Sequence, residues 1–143
     1  MTQSRNHSTY DAHYHIVFPV KYRKALLDDR ITKAIRDIAA EIGIRYDIEF
    51  DQIGCDGNHI HLLVTFAPKY AGSDVVRIFK SITAKQLFKR FPELRNDLWG
   101  GEFWSDGFYL ATVGERGNWD VVKRYVAGQG KTIGNPTQLK LLA

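Results

Sequence analysis

The stretch "NHIHLLVTF", residues 58–66, places two histidines one residue apart at the head of an apolar run. Side chains two apart in a strand share a face, so His59 and His61 stand side by side if this segment is extended. Ile60, Leu62, Val64 and Phe66 then fill the other face. Two imidazoles on one face can hold a divalent ion, provided that a third ligand arrives from elsewhere. They can equally be strand histidines hydrogen-bonded to their neighbours. His13 and His15 in "AHYHIV" repeat the same spacing, so spacing alone does not choose between the pairs. A second group with chemistry lies near the end, in "RYVAGQG". Tyr125 and Gln129 are four apart, one turn from each other on a helix. A tyrosine is a possible nucleophile, and a glutamine carbonyl is a possible hard ligand. Alone, such a pair is more often packing plus a solvated amide.

These residues need elements to hold them. "DAHYHIVFPV" (11–20) reads as a first strand, rich in β-branched and aromatic residues and ending near Pro19. In "LLDDRITKAIRDIAAEIG", Leu27, Ile31, Ile35, Ile38 and Ile42 recur at helical spacing. Asp28 or Asp29 can cap this helix, and Gly43 can end it. "RYDIEFDQI" (45–53) alternates, with Tyr46, Ile48 and Phe50 on one face and Arg45, Asp47, Glu49 and Asp51 on the other. "CDGN" (55–58) is a turn signal, so this strand and "HIHLLVTF" form a hairpin. "GSDVVRIFKSITAKQLFKRF" (72–91) is a second long helix, with Ser73 or Asp74 as cap and Pro92 beyond its end. "FYLATV" (108–113) is a fourth strand, and 118–130 a last, shorter helix, reached through "GERGN" (114–118). "DLWGGEFWSDG" (97–107) lacks periodicity, but its aromatic residues suit an ordered loop.

Strand, helix, strand, strand, helix, strand, then an extra helix is the split βαβ pattern. It predicts an α+β, ferredoxin-like fold: an antiparallel sheet with helices on one face and the other free for a site. The 143 residues suit one domain, with a core over about 10–131 and a polar tail at 132–143. An apolar fraction of 44% can fill one core. There is no 18-residue apolar run to span a membrane and no apolar leader behind a basic start. Cys55 is the only cysteine, which excludes an internal disulfide and fits a reducing cytoplasm. The formal charge of +4 leans toward nucleic acid.

Taken together, the His-hydrophobic-His hairpin, the ferredoxin-like order and the tyrosine on a helix after the fourth strand resemble the HUH endonucleases. More narrowly, the chain is similar to the small single-tyrosine transposases of insertion sequences that move as single-stranded DNA, a superfamily that includes the REP-associated tyrosine transposases. "YHIVFPVKYRKALL" (14–27) and "LWGGEFWSDGFYLATVG" (98–114) extend the likeness over most of the chain. The resemblance implies that His59 and His61 are the metal ligands, rather than His13 and His15, with Gln129 the third and Tyr125 the nucleophile. It implies Mg²⁺ or Mn²⁺, whereas two imidazoles alone would suggest Zn²⁺ or Mn²⁺. It also implies hairpin-forming single-stranded DNA as substrate, a 5′-phosphotyrosine intermediate, and a homodimer in which the tyrosine helix can dock on the partner. Relatives often carry an acid before the first histidine; here Asn58 stands there, a candidate for the surroundings of the ligands, as is His15 on the neighbouring strand.

DNA needs positive charge and stacking surfaces. Lys21, Arg23 and Lys24 cluster in "KYRK" beside Tyr22, and Arg77, Ser81, Lys85 and Lys89 trace a polar stripe along the second helix, which is equally a solvated face. Trp99, Phe103 and Trp104 can stack on bases or fill the core. Three other readings stand beside the transposase. One is a domesticated relative acting on repetitive palindromes. Another is a non-catalytic single-strand binder with an RRM-like sheet, although "KYRKALL" and "IEFDQIG" do not read as its aromatic signatures. The third is a metal-dependent hydrolase of small molecules, for which Tyr125 is dispensable.

Overall fold

The computed structural model describes residues 3–5, 8–10, 13–113 and 116–128; Gln129 and the tail at 132–143 lie outside the described residues. Strands β1 (Gln3–Arg5) and β2 (Ser8–Tyr10) pair with each other in a small separate sheet that the sequence did not announce. Three-residue strands are too short for alternation to show. The main body runs β3 (His13–Pro19), α1 (Asp29–Tyr46), β4 (Ile48–Asp56), β5 (His59–Phe66), α2 (Gly72–Arg90), β6 (Tyr109–Val113) and α3 (Arg116–Ala127). The sheet order is β4-β5-β3-β6, with every neighbouring pair antiparallel. This is the expected ferredoxin-like order, with the hairpin strand β5 and the first long strand β3 side by side in the middle.

One sheet face is apolar. Ile16 and Phe18 of β3 and Ile60, Leu62 and Val64 of β5 are buried there under α1 and α2. Phe79 of α2 meets Phe18 at 5.9 Å and Phe50 at 5.6 Å between ring centroids. Ile31, Ile35, Ile38 and Ile42 are the inward stripe of α1. The segment 97–107 is ordered, as expected, because its aromatic residues join this core. Phe103 and Trp104 are buried, and Trp104 donates its indole N–H to Thr83 Oγ1 at 2.9 Å. Lys80 pins the far end of the segment by donating to the carbonyls of Ser105 and Gly107. The second face carries α3, whose Val122 and Val126 are buried with Leu63 and Val113.

Several boundaries differ from expectation, each for a local reason. Asp28 is the cap of α1, accepting from the Ile31 N–H at 2.9 Å. Gly43 does not end that helix. It continues to Tyr46, and Asp47 closes it in the left-handed region at φ 58°. Gly43 serves a close approach instead: a Cβ there would fall 2.7 Å from the Ile48 carbonyl oxygen. Arg45 and Tyr46 are therefore helical, and β4 begins at Ile48. The pairing of β4 with β5 skips Asp51, a bulge that reverses the alternation beyond Phe50. In α2 the cap is Ala71, not Ser73 or Asp74; Asp74 instead reaches back from the first turn to accept from the Ala71 N–H at 2.8 Å. Helix α3 begins at Arg116, so Gly117 is helical; residues 114–115 of the GERGN stretch lie outside the described residues.

Candidate functional site

Register decides which side chains meet. Val17 lies opposite His61 and Pro19 opposite His59, while His15 lies opposite Leu63. Residues two apart share a face, so His13, His15, His59 and His61 all stand on the face that α3 partly covers. The two H-x-H pairs, rivals in sequence, are one continuous patch. His15 Nε2 and His61 Nδ1 are 3.2 Å apart, their rings stacked with centroids at 5.5 Å, and both residues are fully buried. His13 Nδ1 donates to Thr65 Oγ1 at 2.9 Å, and the Thr65 hydroxyl donates to Asp51 Oδ2 at 2.9 Å. The first pair thus divides its roles. His15 abuts the second pair, and His13 belongs to a separate polar chain.

His59 is half-buried and held from two sides. Its Nδ1–H donates to Asn58 Oδ1, which leaves Nε2 as the acceptor, and Arg23 Nη1 donates to that Nε2 at 3.0 Å. Asn58 also donates through Nδ2 to the Arg23 carbonyl at 3.4 Å, and the Asn58 carbonyl accepts from the Val20 N–H at 2.8 Å. These contacts hold the KYRK turn against the histidines. In that turn Tyr22 and Arg23 both take left-handed backbone, at φ 60° and 52°. Each costs about 1–2 kcal/mol for a residue with a Cβ, a strain of the kind that functional sites retain. The contact between Arg23 and His59 was not legible in sequence, where the only signal was a basic turn.

Tyr125 lies on α3 over the same patch. Its ring meets the His61 ring edge-on, with centroids 6.3 Å apart and planes at 62°. Val122 and Val126 flank it in sequence and anchor the helix beneath. Tyr109 of β6 meets the His15 ring similarly, at 6.1 Å. The other basic candidates divide by place. Lys21 pairs with Glu102 at 3.4 Å, and Lys24 is exposed. Arg77 pairs with Asp74 at 3.2 Å; Arg77, Lys85 and Lys89 are exposed on α2, across the sheet from the histidines. Of the aromatic candidates, Phe103 and Trp104 are core, and Trp99 is exposed.

Burial holds these imidazoles neutral. His61 is lowered to about 3, by desolvation first and then by the His15 and His59 rings; His15 is lowered to about 4 by desolvation. His59 is lowered by burial and by the Arg23 guanidinium. Neutral imidazoles keep the lone pairs that a metal requires. The ring atoms fit such an ion. His61 Nε2 is buried with no hydrogen-bond partner among the described residues, as is His15 Nδ1. A buried ring nitrogen of that kind lacks what burial normally demands. Were His61 Nδ1–H to donate to His15, its Nε2 would keep a lone pair for a cation, the arrangement that second partners of metal-binding histidines enforce. His59 Nε2 accepts from Arg23 Nη1 in this structure, so it would serve an ion only with that hydrogen bond broken. Among the described residues, no group of three or more His, Cys, Asp or Glu side chains is placed to hold a metal. His61 Nε2 is thus unpartnered and His59 Nε2 is held by Arg23, while Gln129, the third ligand expected from the sequence, lies outside the described residues.

A pH dependence follows. The lowered His15 and His61 contribute stability that is full above about 6.5 and is lost as pH falls toward 4 and 3. Asp51 runs the other way: burial, then its hydrogen bond with Glu49, raise it to about 7, so its contribution is full below 3.8 and is lost as pH rises through 7. The unfolding midpoint is expected to fall between pH 6.5 and 5, and more steeply in Asp51→Asn, where the opposing gain is gone. Thermal melts across this range check it; a flat profile in Asp51→Asn, where nothing opposes them, would mean that the two histidines charge without penalty.

The sequence profile of a family described as "Transposase IS200 like" matches residues 8–129. The ISDra2 transposase TnpA of Deinococcus radiodurans is 30% identical over 120 residues, covering 84% of this chain and 85% of that protein. The transposase for insertion sequence element IS200 of Salmonella typhimurium is 28% identical over 113 residues, covering 79% and 74%. A crystal structure of a candidate transposase from Deinococcus radiodurans superposes with a TM-score of 0.70 at 27% identity, over 90% of this chain and 98% of that one. A REP-associated tyrosine transposase bound to a REP hairpin shares the fold, with a TM-score of 0.59 at 12% identity, over 88% and 70%.

Proposed function

The chain belongs to the IS200-like transposase family, and from that premise we propose that it cleaves and rejoins single-stranded DNA through a 5′-phosphotyrosine link on Tyr125. The observation that carries this reading is Tyr125 lying edge-on to His61, over the face that also bears His59. The Tyr125 hydroxyl oxygen attacks the phosphorus and loses its proton. The bond to the 3′ oxygen breaks, and that oxygen leaves as a 3′-OH. The phosphotyrosine conserves the bond energy, so a 3′-OH can later attack it, restore a phosphodiester and release Tyr125 without ATP. Held by His59, His61 and Gln129, a Mg²⁺ or Mn²⁺ ion would supply Lewis-acid stabilisation of the charge that builds on a non-bridging phosphate oxygen.

The chain's own groups do the rest. Asn58 fixes the His59 ring, and His15 fixes the His61 ring. Arg23, released from His59, is a guanidinium beside the site and suits a bidentate grip on phosphate. Hairpin ends of a mobile element are the substrate; the fold shared with a hairpin-bound REP-associated transposase supports this. We place the reaction in the cytoplasm, where a lone buried thiol is at home. Among the described residues, no helix is long and apolar enough to cross a membrane. The test is incubation with single-stranded hairpin oligonucleotides and Mn²⁺, followed by denaturing electrophoresis for a protein–DNA adduct.

The working unit in this proposal is a homodimer in which α3 can serve its partner's site. Within one chain α3 rests on its own histidine face, and Gly114, between β6 and α3 in the sequence, suits a joint that adjusts for exchange. Swapping of an end element is a low-cost route to a two-fold dimer. Mixing Tyr125→Phe protomers with His59→Ala protomers is expected to restore part of the cleavage, because one composite site then has both halves intact. Heterodimers that remain inactive would confine cleavage to the cis arrangement, and a monomer by sedimentation would remove the dimer.

A further inference from the structure

Tyr22 and Trp99 are large aromatic residues left on the surface, at 48% and 77% exposure. They are not scattered singly. Their rings stack on each other, with centroids 5.6 Å apart and planes at 23°. They come from segments far apart in sequence, so both backbones must be shaped to bring them together. Tyr22 is one of the two consecutive left-handed residues of the KYRK turn, and Trp99 stands just before Gly101, which takes φ 84°. The core does not include this pair: Phe103 and Trp104, from the same segment as Trp99, belong to it, whereas Tyr22 and Trp99 do not.

The surroundings say what fits on top. Arg23 and Lys24 follow Tyr22 and are exposed, and Lys21 Nζ lies 5.6 Å from the Tyr22 ring. Flat aromatic surface edged with cations is the chemistry of an unpaired nucleobase and its phosphate: the ring stacks, and the backbone is neutralised. The platform also adjoins the histidine site. Arg23, the residue after Tyr22, is the group that hydrogen-bonds His59 Nε2.

We propose that Trp99, backed by Tyr22, is a stacking subsite for one unpaired base of the DNA strand that runs into the His59/His61 site. This rests on the reading of the chain as a single-strand DNA transposase and names a contact within it. Trp99 offers the outer face. Tyr22 stiffens it from behind, which lowers the ordering cost when a base arrives. The subsite tolerates any base, because every base has a π-face. It therefore adds affinity and register to the strand rather than sequence choice.

The test uses the full chain, with EDTA present so that no cleavage intervenes. Binding of a fluorescent single strand is measured by anisotropy, along with a series of strands carrying one abasic position each. Trp99→Ala is expected to weaken binding about 5- to 100-fold, the range of one base–aromatic stack. Trp99→Phe is expected to retain most of the affinity, and an unchanged melting temperature in both shows that the fold is intact. One abasic position should weaken the wild type by a similar factor, and on that strand Trp99→Ala should cost nothing more. Equal affinities of wild type and Trp99→Ala for the intact strand would overturn the subsite alone. So would a Trp99→Ala loss that persists on every abasic strand. Failure of the wild type to bind single strands at all would overturn the transposase reading together with the subsite.

Discussion

Tyr125→Phe protein is expected to bind single-stranded hairpin DNA as the wild type does and to form no covalent adduct with it. The substitution removes one oxygen and leaves the ring that packs edge-on against His61. Val122 and Val126 continue to hold α3 on Leu63 and Val113, so the helix has no reason to leave. What disappears is the proposed nucleophile, and loss of a nucleophile from a preorganised site typically costs on the order of 10³-fold or more in rate. Denaturing electrophoresis of the cleavage mixture reads the adduct, and anisotropy reads the binding. An undiminished adduct would move the nucleophile elsewhere. Tyr109 is then the next candidate, since its ring lies 6.1 Å from that of His15 on the same face.

Much of this arrangement is written locally, and local patterns are what a single sequence displays. The alternation from His59 to Phe66 fixes which side chains of β5 face the core, and the isoleucine spacing of α1 fixes its buried stripe. Both hold in the structure. Long-range register is not local. That His15 meets His61 depends on Val17 lying opposite His61, and nothing in either segment states that pairing. The bulge at Asp51 is hidden for the same reason, because a skipped residue is a property of two strands together. Backbone exceptions are hidden too. Asp47, Tyr22 and Arg23 adopt left-handed φ without being glycines, so Gly43 reads as the natural end of α1 when it is the point of close approach to Ile48. The patch of four histidines, the contact between Arg23 and His59, and the stack of Tyr22 on Trp99 all follow from such non-local choices.

The four-histidine patch makes the metal prediction sharper than spacing allows. His59→Ala and His61→Ala are each expected to abolish cleavage and to weaken Mn²⁺ binding strongly, as measured by isothermal titration. Gln129→Ala, which removes one of the three proposed ligands, should be intermediate. His59→Ala is the cleaner test. His59 is only half-buried, and its ring contacts are Asn58 and Arg23 at the surface, so its removal opens little of the interior. His61 is fully buried, and truncating it also strands His15 Nε2, so a lowered melting temperature is expected alongside the lost metal. His15→Ala should weaken metal binding roughly 10- to 100-fold, the usual cost of losing the partner that orients a ligand. His13→Ala should do least, because its ring is tied to Thr65 and through it to Asp51, at the other end of the patch. The expected order of loss is therefore His59 and His61, then His15, then His13. A loss at His13 equal to that at His59 would place the ion between the two strands, with both H-x-H pairs as donors, and would take the third-ligand role away from Gln129.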